Sequence, residues 1–289
     1  MKAIMSLWSV PIFSGKTNPW FSSKDMWNSW ILSSHLAKQH YNELELITDD
    51  YGKSILIDKL NLPFTNVSTE LQKYNDFKYV IWSFGKTIAY SLQTSPFIHL
   101  DFDVYLWQPL PERLHSANIV AQNPEWVLPK DENFPYKVPQ FFENVKWVTP
   151  TMRIFDHLDL FQVPCCGIFG GTNLDIIQDY CRQAKLIVTH SDNAAAMKME
   201  WFSTGFSCMC EQYLIGAVLE SYSLKPEYLF TVDQDIQQVY RPNFSPYAKF
   251  THLVGSKNKT ESSEVLNNYV KEKYPKFHEK LSQLPTISL

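Results

Sequence analysis

The chain has 289 residues, which is enough for one large α/β domain or two small ones, and its 45% hydrophobic content supplies a sizeable core. Its formal net charge is -4 and its pI is near 6.1, and no segment collects more than a few lysines or arginines. A protein that binds nucleic acid needs positive charge to neutralise phosphates, so we expect no nucleic-acid partner.

Two further features bear on where the protein resides. The apolar start Met1–Pro11 is broken by Trp, Ser and Pro, and no later apolar run reaches the length that spans a bilayer. The five cysteines form an adjacent pair, a single residue and a pair separated by one position. This spacing fits neither a disulfide framework nor the usual pattern of zinc ligands. We therefore predict a cytoplasmic protein with reduced cysteines and no transmembrane segment.

Apolar runs typical of strands alternate with helical patterns in the first third of the chain. In order they are a strand over 3–10, a helix over 27–40, a strand over 44–48, a helix over 53–60 and a strand over 77–82. This order predicts βαβ units and a largely parallel sheet. Ligands of such sheets bind beyond the carboxyl ends of the strands, so we expect functional residues in the loops there.

The middle of the chain begins with a predicted helix over 86–93 and a predicted buried strand over 97–100. The strand ends in the sequence Asp101-Phe102-Asp103. The stretch 109–164 holds eight prolines and shows little periodicity. We predict that it is a long irregular excursion over the functional face.

The last part of the chain is predicted to be helical. One helix covers 174–188, with its N-cap at Thr172 or Asn173, and another covers 211–222. The tail over 262–284 predicts helices that pack on the core and are interrupted by a proline.

Asp101 and Asp103 carry the clearest chemical signal. Two carboxylates at positions i and i+2 of a strand point to the same face, so both can converge on one hard cation. The alternative is an exposed strand end with solvated acids, which a lone Asp-x-Asp does not exclude. The apolar strand before the pair favours the cation, because a buried carboxylate without a cation or a donor is costly.

The segment from His252 to Lys259 supplies compatible groups. The glycine at position 255 lets the backbone approach a phosphate, and a following lysine can pair with a phosphate oxygen. Imidazole with two carboxylates suits Mn²⁺ and tolerates Mg²⁺. Taken alone, the segment is typical of a polar surface loop.

The run from Pro96 to Tyr105 resembles the strand and Asp-x-Asp motif of glycosyltransferases with the GT-A fold. It is most similar to retaining families in which a C-terminal His-x-x-Gly segment followed by lysine completes the metal and diphosphate site. The resemblance implies a single GT-A-like domain over residues 1–260, with a mostly parallel central sheet flanked by helices. It also implies a helical tail over residues 261–289 that packs on this domain.

The same resemblance assigns roles to individual residues. The implied ligands of Mn²⁺ or Mg²⁺ are Asp101, Asp103 and His252. The residues implied to contact the nucleotide sugar are Asp49, Lys86, Asp101, Gly167, Gly255 and Lys257. Lys259 is the alternative to Lys257 as the contact to the diphosphate.

Glu211 and Gln212 resemble the acidic residue and glutamine that such enzymes place under the transferred sugar. In this interpretation Gln212 steadies the positive charge that develops on the sugar, and Glu211 binds sugar hydroxyls. An ordinary polar first turn of a helix explains the pair equally well.

The resemblance implies transfer of a hexose from a nucleotide diphosphate sugar, with uridine as the favoured base, to an unidentified hydroxyl acceptor. Retention of the anomeric configuration is implied in the same way. One alternative is a sugar nucleotidyltransferase, although that class needs a glycine-rich loop after the first strand, and Gly15 is the only glycine before Gly52. The other is a degenerate, non-catalytic protein that binds a nucleotide sugar or a partner.

Overall fold

A computed structural model of the chain describes residues 1–13, 19–77, 81–128, 130, 136–199, 203–230 and 249–285. The strands among them are β1 Lys2–Leu7, β2 Leu44–Thr48, β3 Asn66–Ser68, β4 Phe97–Leu100, β5 Val104–Leu106, β6 Val120–Ala121, β7 Pro124–Val127, β8 Phe161–Pro164, β9 Ile168–Gly171, β10 Glu227–Tyr228 and β11 Phe250–His252. The main sheet has the strand order β10-β6-β9-β4-β1-β2-β3. β5 pairs with β11, and β7 pairs with β8.

The α-helices of the described residues are α1 Ser9–Phe13, α2 Ser23–His40, α3 Asp50–Lys53, α4 Trp82–Ser91, α5 Glu112–His115, α6 Val138–Asn144, α7 Leu174–Thr189, α8 Ser203–Cys208, α9 Leu214–Ser221, α10 Thr260–Lys273 and α11 Pro275–Lys280. Two π-helical segments, Ser54–Lys59 and Met209–Tyr213, continue α3 and join α8 to α9. No helix in this part of the chain is long and apolar enough to cross a bilayer.

The expected class of fold, an α/β protein with a mostly parallel central sheet flanked by helices, is confirmed at this level. β1 pairs in parallel with β2, β2 with β3, and β10 with β6, whereas β6 and β9 are antiparallel. The connections between the parallel strands β1, β2 and β3 contain helices, as a parallel pairing requires.

The chain divides into two compact units. Among the described residues, the first unit consists of 2–75, 99–111 and 249–285, and the second consists of 76–98 and 112–230. In the first unit, β1 pairs with β2 and β2 with β3, α2 packs against β5 and α10, and the tail helices α10 and α11 follow β11. In the second unit, α4 and α7 pack together, and α9 packs on β8.

Most of the predicted elements are confirmed, with shifted ends. The helix predicted to start at Leu174 does so, and Asn173 is its N-cap because its side chain accepts a hydrogen bond from the amide of Ile176. The tail forms α10 and α11, which are separated before Pro275. Of the strand predicted over 77–82, residues 78–80 lie outside the described residues, and Trp82 opens α4.

Besides the turn at Asp101-Phe102-Asp103, which is described with the candidate site, two predicted segments have a different local structure. Ser9 and Val10 belong to α1 and not to the first strand, because Asp49 accepts hydrogen bonds from the amide and hydroxyl of Ser9. The described part of 109–164 is not irregular, since it contains β6, β7 and β8 as well as α5 and α6. Pro124 begins β7 and Pro164 ends β8, so these two prolines stand at the ends of paired strands.

The tail is attached to α2 through a cluster of aromatic rings in the first unit. The ring of His35 on α2 lies 4.6 Å from that of Tyr274 and 4.5 Å from that of Phe277, measured between centroids. Its Nδ1 atom donates to the carbonyl of Ile31 at 2.7 Å. Burial lowers the pKa of His35, and the hydrogen bond to Ile31 opposes this shift only in part.

This arrangement predicts a loss of stability at mildly acidic pH. In the unfolded chain His35 binds a proton near the ordinary histidine pKa of 6.5, whereas the folded chain resists protonation there. The free energy of unfolding should therefore fall as the pH drops below about 6.5. Urea denaturation between pH 8 and pH 5 should show a smaller fall for His35→Gln than for the wild type.

The matched control is His157→Gln, because His157 is exposed. If His35→Gln and the wild type lose stability in parallel over this pH range, the tail does not depend on neutral His35.

Candidate functional site

The prediction that Asp101 and Asp103 lie on a strand is wrong. They occupy a tight turn between β4 and β5, closed by a hydrogen bond of 3.0 Å from the amide of Val104 to the carbonyl of Asp101. All four residues of β4 are buried, so the strand does carry the acids to its end as expected. The turn, and not the alternation of a strand, brings the two carboxylates to the same side.

Two serines of α2 hold the backbone of this turn. The hydroxyl of Ser29 donates to the carbonyl of Phe102 at 2.7 Å, and that of Ser33 donates to the carbonyl of Val104 at 2.7 Å. The two serines are four residues apart, so they lie on the same face of the helix. Ser33 also lies 3.2 Å from the carbonyl of Asp101. The hydrogen bonds from α2 thus hold the backbone of the turn in place.

The side chain of Phe102 anchors the same turn by packing. It is buried, and its ring lies 5.3 Å from that of Trp30 and 6.3 Å from that of Phe64. A small residue between the two acids would leave a cavity beside Trp30 and Phe64. The large side chain of Phe102 fills that volume and so stabilises the turn.

β11 brings His252 to the acids. It pairs antiparallel with β5 so that His252 stands opposite Val104, and the amide of Leu253 donates to the carbonyl of Asp103 at 3.1 Å. Single ligand atoms of Asp101, Asp103 and His252 all lie within 4.8 Å of one another. Among the described residues, this is the only group of three or more histidines, cysteines or acids with such spacing. The proximity of these three residues agrees with the sequence analysis.

Asp103 is the electrostatic centre of this group. An oxygen of its carboxylate, Oδ2, lies 2.7 Å from Nζ of Lys257 and 3.4 Å from Nε2 of His252. Burial alone would raise the pKa of Asp103, but Lys257 and His252 together hold it well below its usual value. The carboxylate is therefore ionised, and its charge is available to a cation.

His99 stands behind Asp101 and was not singled out from the sequence. It is buried on β4, its Nε2 is 2.9 Å from the hydroxyl of Ser6, and its Nδ1 is 3.6 Å from the carboxylate of Asp101. A histidine inside an otherwise apolar strand is the signal that could have revealed it, because a buried imidazole needs polar partners.

The loop after His252 contains Gly255 and Lys257, which were both predicted to contact the nucleotide sugar. Gly255 has φ +69, a left-handed conformation that favours glycine, and a Cβ there would meet no atom within 4 Å. The space beside it is therefore open. Lys257 reaches Asp103 and lies 5.5 Å from the centre of the Trp20 ring, whereas Lys259 precedes α10. The structure thus favours Lys257 over Lys259 as the lysine of this site.

Asp49, which was expected to contact the donor, is fully buried. Its Oδ1 accepts from the amide of Gly52 at 2.8 Å, and its Oδ2 accepts from the hydroxyl of Ser9 at 2.6 Å. The carboxylate caps α3 and fixes the start of α1. Contact with a nucleotide stays a prediction for this residue.

The second unit contains the other predicted residues. Lys86 on α4 forms an ion pair of 2.9 Å with Glu211, whose side chain is only 2% exposed. Gln212, the next residue of the π-helical segment, donates from Nε2 to a carboxylate oxygen of Glu125 at 3.0 Å. π-Helical turns are frequent at functional sites, so the position of Glu211 and Gln212 in such a turn is consistent with a functional role.

Gly167 lies in the turn between β8 and β9. The following Gly170 has φ +157, and a Cβ there would lie 2.1 Å from the carbonyl of Phe97. The small residues of this strand therefore permit close approach of the backbone to β4. Contact of Gly167 with a sugar stays a prediction.

The five cysteines are all buried. Burial raises the pKa of Cys165, Cys181, Cys208 and Cys210, so these side chains remain thiols.

The fold and the site define an α/β protein in which a half-buried Asp101, a buried Asp103 and a buried His252 lie beside a lysine. The chain belongs to the family described as "Family of unknown function (DUF6734)", which matches residues 1–284. No curated protein matches the chain.

The serines of α2 give a prediction about the turn. Ser33→Ala removes the donor to the carbonyl of Val104 and should lower the free energy of unfolding by about 1–3 kcal/mol. Ser34→Ala is the matched control, because the equally buried hydroxyl of Ser34 donates to the carbonyl of Ile31 in its own helix. Urea denaturation of both variants measures the difference, and equal losses would contradict a special role for Ser33.

Proposed function

We propose that this protein is a metal-dependent glycosyltransferase that transfers a hexose from a nucleotide diphosphate sugar, with uridine as the favoured base, to a hydroxyl acceptor. The observation that supports the proposal most is the convergence of Asp101, Asp103 and His252 from two distant segments, with Lys257 in contact with Asp103. The resemblance to GT-A glycosyltransferases assigns these same residues to metal and diphosphate.

The donor atoms fit a hard divalent cation. Two carboxylates and one imidazole are ligands that Mn²⁺ and Mg²⁺ accept, and their ligand atoms lie within 4.8 Å of one another, so small side-chain movements would let one ion contact all three. The deeply buried Asp103 is ionised, so it carries the charge that such an ion needs. When bound, the cation would neutralise negative charge on the departing nucleoside diphosphate.

The charges of the site favour a cation that arrives with a diphosphate. Lys257 already neutralises part of the negative charge of Asp103, so the site attracts a bare cation less than two carboxylates alone would. A diphosphate offers oxygens to which Lys257 can turn its ammonium group. Lys257 thus favours the joint binding of metal and diphosphate.

The resemblance to GT-A glycosyltransferases assigns the remaining roles in this proposal to Gln212, Glu211 and Lys86. Gln212 offers an amide oxygen to the positive charge that develops on the sugar as the bond to phosphate breaks. Glu211 binds sugar hydroxyls, and its carboxylate forms an ion pair of 2.9 Å with Lys86. The acceptor oxygen forms the new bond to the anomeric carbon, and its proton passes to the departing phosphate.

The first test is the dependence of donor binding on Asp103. Asp103→Asn should weaken binding of Mn²⁺ with UDP by at least about 100-fold, since even residues behind metal ligands cost about 10- to 100-fold when replaced. Isothermal titration calorimetry measures it, with circular dichroism to show that the variant is folded. Asp159→Asn is the control, because Asp159 is exposed and pairs with exposed Lys130. Unchanged binding in folded Asp103→Asn would refute the proposed metal site.

Lys257→Met should change two affinities in opposite directions. Removing the charge next to Asp103 should strengthen binding of Mn²⁺ alone, by about fivefold to tenfold for a charge pair worth about 1 kcal/mol or slightly more. It should weaken the binding of UDP in the presence of Mn²⁺ by a similar factor. Calorimetric titrations with and without UDP give both numbers, and a change of the same sign in both would contradict the role of Lys257.

Transfer itself separates the proposed enzyme from its rivals. Incubation with Mn²⁺ and a panel of UDP-sugars should release UDP. NMR of the sugar product should show that the anomeric configuration is retained. Binding of Mn²⁺ and UDP without any release favours the non-catalytic alternative, and consumption of a nucleoside triphosphate with a sugar phosphate favours a nucleotidyltransferase.

A further inference from the structure

The side chain of Glu125 is the meeting point of a polar cluster in the second unit. Its Oε2 atom accepts hydrogen bonds from Nε2 of Gln212 at 3.0 Å and from the hydroxyl of Tyr136 at 2.7 Å. Cys165 is buried as well, and burial together with the nearby charge of Glu125 raises the pKa of its thiol. Glu125 stands in the proline-rich stretch, where nothing in the sequence distinguished it from other acids.

The packing of the second unit accounts for this contact. Glu125 on β7 stands opposite Val163 on β8, so the two residues share a face of the ladder. α9 lies against that ladder at Gly216, where a Cβ would be only 2.9 Å from Cγ1 of Val163. Gln212 precedes Gly216 by about one helical turn. The absence of a side chain at position 216 therefore lets the helix come near enough for Gln212 to reach Glu125.

The chemistry of the partners fixes the orientation of the amide. An ionised carboxylate only accepts hydrogen bonds, so it selects the NH₂ end of Gln212. The oxygen of the same amide then points away from Glu125. Tyr136 is buried, and both burial and Glu125 raise its pKa, so its hydroxyl remains a donor to Glu125.

We propose that Glu125, held by Tyr136, is a positioning residue that orients the amide oxygen of Gln212 toward the sugar that the enzyme transfers. This inference rests on the proposed function, in which Gln212 faces the positive charge on that sugar. An amide turned the other way would direct its NH₂ group at this charge and repel it. Glu125 acts through Gln212 and does not itself react.

Glu125→Gln tests the proposal because it keeps the shape of the side chain and replaces an acceptor by a group that both accepts and donates. We expect the kcat for release of UDP to fall by about 10- to 100-fold, which is less than the loss of about 100- to 1000-fold when a group that itself faces developing charge is removed, with the KM for the donor nearly unchanged. Glu143→Gln is the matched control, since Glu143 is exposed. It should behave as the wild type.

The second measurement does not depend on activity. In protein labelled with ¹⁵N at glutamine, the side-chain NH₂ signals of Gln212 are identified by their loss in Gln212→Ala. Glu125→Gln should move these signals toward those of exposed glutamines, and Glu143→Gln should not. Unmoved signals would show that Glu125 does not hold the amide and would overturn the proposal.

The kinetic results decide the remaining cases. A normal kcat in Glu125→Gln, despite moved signals, overturns the proposal, and so does a loss confined to KM. If the wild type neither binds Mn²⁺ with UDP nor releases UDP, the proposed function fails together with the catalytic purpose of Glu125. The orientation of Gln212 is then supported or overturned by its NMR signals alone.

Discussion

The carboxylate of Asp103 is buried and ionised, and much of the first unit is arranged around that fact. A buried charge is costly unless cations or donors surround it. Lys257 and His252 supply positive charge and a polar partner at 2.7 and 3.4 Å. Both come from the far end of the sequence, so the pairing of β11 with β5 is needed to deliver them. α2 fixes the acid from the other side, since its serines bind the backbone of the turn.

In the second unit, close packing of a helix on a strand pair determines the position of Gln212. Gln212 reaches Glu125 only because α9 approaches the ladder of β7 and β8 at Gly216. Close approach of this kind leaves no room for adjustment, since interiors are packed like crystals. The position of Gln212 is therefore determined by the contact between a helix and a strand as much as by its own hydrogen bond.

The sequence predicted those parts of the structure whose signals are local. The period of α7, the break before Pro275 and the buried strand before Asp101 were all recognisable from the order of apolar residues. The turn at Asp101 was not, because the same residues on a strand would also place two acids on one face. Hydrogen bonds from Ser33, which lies far away in sequence, stabilise the turn over a continued strand.

The candidate site shows the same division between local and distant signals. Asp103 and His252 were predicted as a pair through a family resemblance, and their contact agrees with it. His99 and Glu125 were missed, since the significance of each depends on partners that only the fold brings near, Ser6 for one and Gln212 for the other. Asp49 shows the converse, because an acid after a strand is as suited to capping a helix as to binding a ligand.

A lysine paired with a carboxylate occurs in each unit, as Lys257 with Asp103 and as Lys86 with Glu211. Burying such a pair often adds little stability compared with apolar side chains of the same volume, because both charges lose their hydration. Stability is therefore a weak reason for either pair. Each lysine instead places a positive charge directly beside a carboxylate. In the proposed function, the diphosphate of the donor would compete with Asp103 for the ammonium group of Lys257.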